Sequence, residues 1–316
     1  MGRRPRPRGP VHDQVLLVDK PAGPTSHDVV ARIRRVAGHS RVGHTGTLDP
    51  AATGVLVVCL GRATKLVRFL QAGTKTYAAR ILLGIETDTQ DAEGLEVART
   101  DASHIDEPAV CRALGAFQGE ILQIPPMVSA VKVDGQRLHE LARRGETIVR
   151  EPRRVEVSSL VLERFVPGPV AEVDVLLSCS AGTYVRTIAH DLGAALKVGG
   201  SLARLRRLAN GPFGVEECVE LATIEGTDAA GLHALGLDPL AAVRRTLPVV
   251  ELADDDAARR LVQGQPLDAL GRTGPVAVVR PARGRSPAQL LAIVEDDAEG
   301  RAARPALVWT RPQELL

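Results

Sequence analysis

The chain has 316 residues and a net charge of only +2, with 44% hydrophobic residues and 2% aromatic ones. That balance excludes a disordered or fibrous chain and predicts a globular protein long enough for two domains, its core built from Val, Leu, Ile and Ala. The four cysteines, Cys59, Cys111, Cys179 and Cys218, form no C-x-x-C pair. They exclude a disulfide framework or zinc cluster and mostly read as buried small hydrophobes. No apolar run approaches a membrane span. The arginine-rich start has no apolar stretch after it and does not read as a signal peptide, so a cytoplasmic protein is expected.

Taken in order, residues 1–13 read as a disordered basic arm carrying Arg3, Arg4, Arg6 and Arg8. Val15 to Val18 is a short strand that ends in Asp19-Lys20-Pro21. Thr25 and Asp28 have the spacing of a capping box, opening a helix with Val29, Val30, Ile33 and Val36 on one face and a stop at Gly38. Next comes Gly43-His44-Thr45-Gly46-Thr47-Leu48-Asp49-Pro50-Ala51-Ala52-Thr53-Gly54. Its glycines allow close backbone approach. Pro50 pushes Asp49 out of the helical region, so the carboxylate sits on a stiff bend at the lip of a sheet. An Asp before Pro is also a common turn former, and the local composition alone fits that plainer role.

Val55 to Leu60 follows as a buried strand, then a helix over Ala63 to Leu70 and a strand over Thr74 to Leu83 carrying Lys75 and Tyr77. Glu86 to Gly94 is a polar, acidic turn region. Asp106 caps a helix reaching Phe117, and Gln123-Ile124-Pro125-Pro126-Met127 breaks regular structure. A short strand over Val128 to Val133, a turn at Asp134-Gly135 and a basic helix over Gln136 to Arg144 are predicted. Strands are expected over 154–165 and 170–179, the second with Val173, Val175, Leu177 and Cys179 alternating inward. Gly182-Thr183-Tyr184-Val185-Arg186 is a strand-to-helix junction. Leu202, Leu205 and Leu208 recur at a period of three, which fits helix and strand equally. From about residue 245, short strands (Pro275 to Val279, Leu290 to Val294, Ala306 to Trp309) follow one helix, Asp254 to Val262, and read as a small β-rich domain.

Three polar clusters lie at strand ends: Lys20, the Asp49 loop, and Gly182 to Arg186. The two tyrosines, Tyr77 and Tyr184, fall in or near such places. A tyrosine face can stack a nucleobase, and an arginine beside a carboxylate holds it ionised and oriented. The plainer readings are half-buried strand tyrosines with bonded hydroxyls and a structural ion pair for Arg186. The glycine loop lacks a P-loop ending, the eight histidines show no helical zinc spacing, and no G-x-S-x-G elbow occurs.

These pieces carry a resemblance. Asp19-Lys20-Pro21-Ala22-Gly23-Pro24-Thr25-Ser26-His27-Asp28, the Gly43 to Gly54 stretch, Lys75-Thr76-Tyr77 and Thr87-Asp88-Thr89-Gln90-Asp91-Ala92-Glu93-Gly94 occur in that order. Gln123 to Lys132, Gly182-Thr183-Tyr184-Val185-Arg186 and Leu205-Arg206-Arg207-Leu208 follow. Across residues 15–210 the chain resembles the TruB family of bacterial tRNA pseudouridine-55 synthases.

The resemblance implies an α+β fold: a mixed, largely antiparallel sheet flanked by helices, with a β-rich, PUA-like C-terminal RNA-binding domain. It implies a catalytic domain over 14–244, a thumb loop about 124–152 and a C-terminal domain over 245–316. Asp49 falls on the catalytic aspartate, Tyr77 on the tyrosine that stacks on the target base, and Arg186 on the arginine paired with the aspartate. His44, Tyr184 and Leu205 fall on residues of the nucleotide pocket, and Lys20 on the basic residue of the first motif, counted with the substrate-binding set though held mainly structural. No metal, cofactor, membrane or protein partner is implied; the expected partner is the tRNA T-arm and the expected state a monomer. The basic thumb and the Arg204 to Arg207 region are expected to contact phosphates. Two alternatives share these features: an RNA-binding or tRNA-folding protein independent of Asp49, and a guide-RNA-dependent synthase.

Overall fold

A computed structural model describes residues 11–127 and 148–315, and between them the backbone of 132–133 and 136–137. The chain opens with β1 (Gln14–Lys20), the helix Ser26–Ala37, β2 (Val42–His44) and β3 (Thr53–Leu60). The Thr25–Asp28 capping box is formed, and Gly38 ends the helix in the left-handed region. β1 and β3 pair antiparallel from Gln14↔Leu60 to Lys20↔Gly54. β3 explains its own apolar run, because both of its faces are covered. Val55, Val57 and Cys59 face one cluster and Leu56, Val58 and Leu60 another, the latter against Val29, Val30 and Ile33 of the first helix.

The helix expected over Ala63 to Leu70 is instead a 3-10 turn, Gly61–Leu66, followed by one α-turn, Val67–Leu70. The backbone amide of Arg62 donates to Asp13 Oδ1 (2.6 Å), and a short segment tied at its start tightens readily. β4 (Lys75–Leu83) leads to a hairpin of β5 (Ile85–Thr87) and β6 (Glu96–Arg99). Asp106 caps the helix Glu107–Gly115, which turns Cys111 outward while Val110 and Leu114 face the core. That cysteine is therefore exposed, unlike the buried Cys59 and Cys179.

β7 (Gly119–Gln123) is a strand that the sequence pattern does not mark. β8 (Lys132–Val133) and β9 (Gln136–Arg137) form a short antiparallel pair. Gln136 and Arg137 are thus strand and not the start of a helix, in keeping with the hairpin signal Asp134-Gly135 between them. The rest of that expected strand and helix, 128–131 and 138–144, lies outside the described residues, as do residues 1–10 of the expected arm.

β10 (Arg153–Val166) and β11 (Ala171–Cys179) pair antiparallel, the helix Val185–Ala195 follows, and β12 (Gly200–Asn210) returns through the sheet. β12 resolves the period-three ambiguity. It is a strand lying parallel to β3 and antiparallel to β4, with register shifts between Leu202 and Arg204 and between Arg207 and Ala209. Two bulges offset the usual alternation and produce the spacing of Leu202, Leu205 and Leu208. After β13 (Phe213–Gly214) and β14 (Val219–Glu220), the principal sheet runs β14-β1-β3-β12-β4-β11-β10-β7 among the described residues, with β2 on β3 and β13 on β12.

β12 crosses β3 at closest range at Gly54. This glycine has φ +99°, and a methyl on it would run into the carbonyl of Arg207, with Arg207 N also at 2.9 Å. Gly54→Ala should therefore cost about 1–3 kcal/mol from overpacking alone, with left-handed strain added. Urea unfolding checks this: an unchanged midpoint would show that the two strands have room to part.

The C-terminal segment forms its own ladder of β15 (Val249–Glu251), β16 (Leu267–Asp268), β17 (Val276–Arg280), β18 (Gln289–Asp296) and β19 (Ala302–Val308), with the helix Asp255–Val262 against it. It is joined to the principal sheet by burial. Ala277, Val279, Leu290 and Ile293 share one apolar cluster with Val55, Val57, Phe69 and Leu70. Arg62 ties the seam, reaching Asp13 Oδ2 (2.6 Å) and Glu314 Oε2 (2.8 Å) over the ring of Trp309.

Candidate active site

The loop between β2 and β3 is held from every side. Ser26, the first residue of its helix, donates from Oγ to the Leu48 carbonyl (3.0 Å) and accepts from the Leu48 amide (2.8 Å). Lys20, at the end of β1 and 0% exposed, donates from Nζ to the carbonyls of Pro21 (3.0 Å), Pro50 (2.9 Å) and Ala52 (2.6 Å). Arg207, 1% exposed on β12, donates to the carbonyls of Val55 (2.7 Å), Gly46 (3.2 Å) and Thr47 (3.3 Å). Asn210 donates to Thr45 Oγ1 (3.1 Å). A loop whose carbonyls are satisfied this way has little freedom, and it presents Asp49 on a fixed mount.

Gly182 (φ +90°) turns the chain after β11 so that the helix Val185–Ala195 starts opposite that loop. Gln123 fixes the junction, accepting from the Tyr184 amide (2.9 Å) and donating to the Tyr184 carbonyl (3.2 Å). Arg186, in the first turn and 4% exposed, meets Asp49 in a two-pronged pair, Nε to Oδ2 at 3.1 Å and Nη2 to Oδ1 at 3.4 Å. Its Nη1 donates to Asp91 Oδ2 (3.2 Å) and to the Thr89 carbonyl (3.3 Å). Asp91 is in turn held by Thr89 Oγ1 (2.6 Å) and the Glu93 amide (3.1 Å). The guanidinium thus lies between two carboxylates, one buried and one, Asp49, with its side chain 39% exposed.

The exposed face of Asp49 opens into a cavity of about 520 Å³, large enough for a nucleoside. Tyr77, Tyr184, Leu205 and Arg207 line it with Asp49 and Arg186. Burial raises the Asp49 pKa above the ordinary carboxylate value; Arg186 opposes the shift, Asp91 adds to it, and Lys20 opposes it. Burial also brings Lys20 down to about 8 against the pull of Asp49, and it raises the Tyr77 phenol. His44 is pushed down to about 4 by burial and by the neighbouring His27 and Arg207, so its ring is neutral at pH 7. Its Nδ1 accepts from the Gly46 amide (3.2 Å), which leaves the ring proton on Nε2.

Of the residues expected at the site, Asp49, Tyr77, Arg186, Tyr184 and Leu205 converge on the cavity. Lys20 lies behind the loop and not in the cavity wall. His44 stands beside the lining residue Thr45, edge-on to His27 at 5.4 Å. The Arg204 to Arg207 run differs from the expected phosphate surface. Arg206 is paired with Asp19 (2.7 Å), Arg207 points inward, and Arg204 is the exposed member. Arg204 and Arg206, two residues apart, share one face of the strand, and Arg207 falls on the other. Sequence reasoning does not single out Asp91, Ser26, Gln123 or the inward Arg207. Each sits inside one of the motifs, but nothing local marks a polar residue whose partner is remote in sequence.

Known proteins resemble this chain in sequence and in fold. The family model described as TruB family pseudouridylate synthase (N terminal domain) matches residues 34–185, and that of the tRNA pseudouridylate synthase B C-terminal domain matches residues 186–239. The tRNA pseudouridine synthase B of Thermobifida fusca is 48% identical over 275 residues, spanning 85% of this chain and 91% of its own. That of Rhodococcus jostii is 43% identical over 318 residues and spans all of both. Among solved structures, a chain of a Cbf5-Nop10-Gar1 complex superposes with a TM-score of 0.70 at 26% identity, over 96% of this chain and 86% of that one.

Proposed function

This chain belongs to the TruB family and is a pseudouridine synthase, and we propose that it isomerises uridine 55 in the T-arm of tRNA, with Asp49 as its catalytic carboxylate. The observation that carries the reading is one rigidly mounted carboxylate, gripped by Arg186 and facing a tyrosine-lined cavity.

Isomerisation breaks the C1′–N1 bond, turns the base and joins C1′ to C5. The C5 proton leaves and N1 gains one, so no water is consumed and no group departs. One carboxylate that can bond to, or take a proton from, the nucleoside meets that demand, unlike the acid and base pair of a glycosidase. Asp49 takes this role, Arg186 keeps it oriented, and Asp91 holds Arg186 from behind. The target must leave its stack to reach Asp49, at a cost of a few kcal/mol. Stacking on Tyr77 returns about 1–3 kcal/mol, and phosphate contacts supply the rest. Tyr184 and Leu205 close the sides of the cavity, and His44 offers its Nε2 proton from the loop edge.

The protein works as a cytoplasmic monomer without a guide RNA. The segment about 124–152 serves as a thumb on the T-arm. Its two ends are joined by Arg150, which donates from Nη1 to the Pro125 carbonyl (2.9 Å). Residues 14–244 act as the catalytic unit and 245–316 as an RNA-binding unit. Incubating the purified protein with a bare tRNA transcript, then carbodiimide treatment and primer extension, tests this. A single new stop at uridine 55 is expected. No stop until a guide RNA is added would favour the guide-dependent alternative.

The ionised form of Asp49 is the working form, and its pKa lies above the ordinary carboxylate value. The single-turnover rate should therefore fall as pH drops, through a midpoint higher than an unperturbed aspartate would give. A rate that holds down to the ordinary range and only then falls would mean that the Asp49 pKa is not raised, and a rate flat through that range would mean that Asp49 does not work as the anion.

A further inference from the structure

We propose that Arg68 is a phosphate-binding residue at the mouth of the cavity, where it grips an RNA phosphodiester flanking the flipped uridine. This inference rests on the proposed function and deepens it.

Four cations line the cavity, Arg68, Lys75, Arg186 and Arg207, against the single carboxylate of Asp49. Three of them are buried and committed to the protein. Lys75, 6% exposed, donates to the carbonyls of Gln71 (3.0 Å) and Gly73 (3.0 Å). Arg186 lies between Asp49 and Asp91, and Arg207 is occupied by three carbonyls. Arg68 is exposed. Among the described residues its one hydrogen bond runs from Nη2 to the Ala306 carbonyl (2.6 Å), and no carboxylate lies within ion-pair distance of it. A guanidinium carries five N–H donors, so most of this fork is open to a ligand.

The mount of that fork is firm. Arg68 belongs to the single α-turn Val67–Leu70, whose Phe69 and Leu70 are buried in the apolar cluster shared with the C-terminal ladder. Its guanidinium lies over the Phe69 ring, 4.5 Å from the ring centre. The carbonyl of Ala306, on β19, fixes one end of the fork. A cation held in place before binding loses little further freedom when its ligand arrives.

The position selects the ligand. A uridine that enters base first brings a neutral base and ribose to Asp49 and leaves its two charged phosphodiesters at the rim. The buried cations beneath give that rim a positive field without offering it free donors. Arg68 offers them, and its planar fork matches the paired non-bridging oxygens of a phosphate. The plainer role is a staple of the seam through Ala306, and the two roles differ in what salt does to binding.

The test measures affinity for a T-arm stem-loop RNA across a range of salt concentrations, with thermal unfolding beside it, for the parent, Arg68→Gln and Arg68→Lys. Loss of one phosphate contact in Arg68→Gln should weaken binding on the order of 10-fold. The slope of log affinity against log salt should become shallower by about 0.7–1. Arg68→Lys keeps the charge and should keep the parental slope. The phosphate on either side of the target is then neutralised in turn as a methylphosphonate, on a 2′-deoxy sugar matched in the control RNA. At one of the two positions this should cost the parent about as much as Arg68→Gln does, and cost Arg68→Gln nothing further. A parental slope in Arg68→Gln, or full methylphosphonate penalties in it at both positions, would overturn the proposal. So would weaker binding at an unchanged slope with a lowered unfolding midpoint, which would make Arg68 a staple of the seam. If Arg68→Gln does not fold, the parent decides, and no penalty at either methylphosphonate overturns the proposal. In each of these cases tritium release by the parent from a C5-labelled tRNA transcript leaves the proposed function standing. A parent that releases none overturns that function, and this inference with it.

Discussion

Arg186→Met should cut the single-turnover rate by about 10²-fold or more while tRNA affinity changes little. Arg186 is 4% exposed and holds Asp49 and Asp91 apart, with its nitrogens 3.1 Å from one and 3.2 Å from the other. Methionine fills much of the same volume but leaves two carboxylates facing each other across an apolar side chain. Like charges at that range raise one pKa sharply, so Asp49 should become protonated at a higher pH and the acid limb of the rate profile should move upward. Stability should drop by about 3 kcal/mol, the low end for removing one partner of a buried pair, because Asp49 keeps part of its hydration from the cavity. Filter binding and rapid quench with labelled tRNA separate affinity from rate. Equal loss of both would make Arg186 a contact to RNA phosphate.

Asp49→Asn should abolish turnover, keep tRNA affinity, and leave the unfolding midpoint at pH 7 no lower than the parent's. The amide matches the carboxylate in size, and the bonds that hold the loop backbone come from Lys20, Ser26 and Arg207; of these, Lys20 feels the Asp49 charge but keeps its carbonyl acceptors without it. The sign of the stability effect follows from the raised pKa of Asp49. The folded protein favours the neutral carboxyl more than the unfolded chain does, so ionisation at pH 7 works against folding. An uncharged residue removes that penalty. Arg186 retains Asp91 and is not left without an anion. Thermal unfolding at pH 7 checks this; a lower midpoint would make Asp49 a structural member of the loop.

Much of the fold and part of the site are legible in the amino-acid sequence. Thr25 and Asp28, Gly38, the alternation of β11 and the two-faced run of β3 are local patterns, and local chemistry decides them. The stiff bend at Asp49 is legible for the same reason, since Pro50 and the flanking glycines act on their own neighbours. β12 is not legible, because its two bulges arise from fitting between β3 and β4. The inward turn of Arg207 is hidden by its place among Arg204 and Arg206, which suggests a phosphate surface. Its acceptors lie on the distant Asp49 loop and at the start of β3. Asp91 is hidden likewise, 95 positions from the arginine it meets. Lys20 looks like a ligand-binding cation at a strand end, but three carbonyls enclose it.

The central claim is that Asp49 isomerises uridine in tRNA. Its most direct test is tritium release from a C5-labelled, unmodified transcript, with the parent protein and Asp49→Asn assayed side by side without guide RNA. Release by the parent and none by the variant, with both binding the transcript, is the predicted result. Release by both, or by neither despite tight binding, would contradict it.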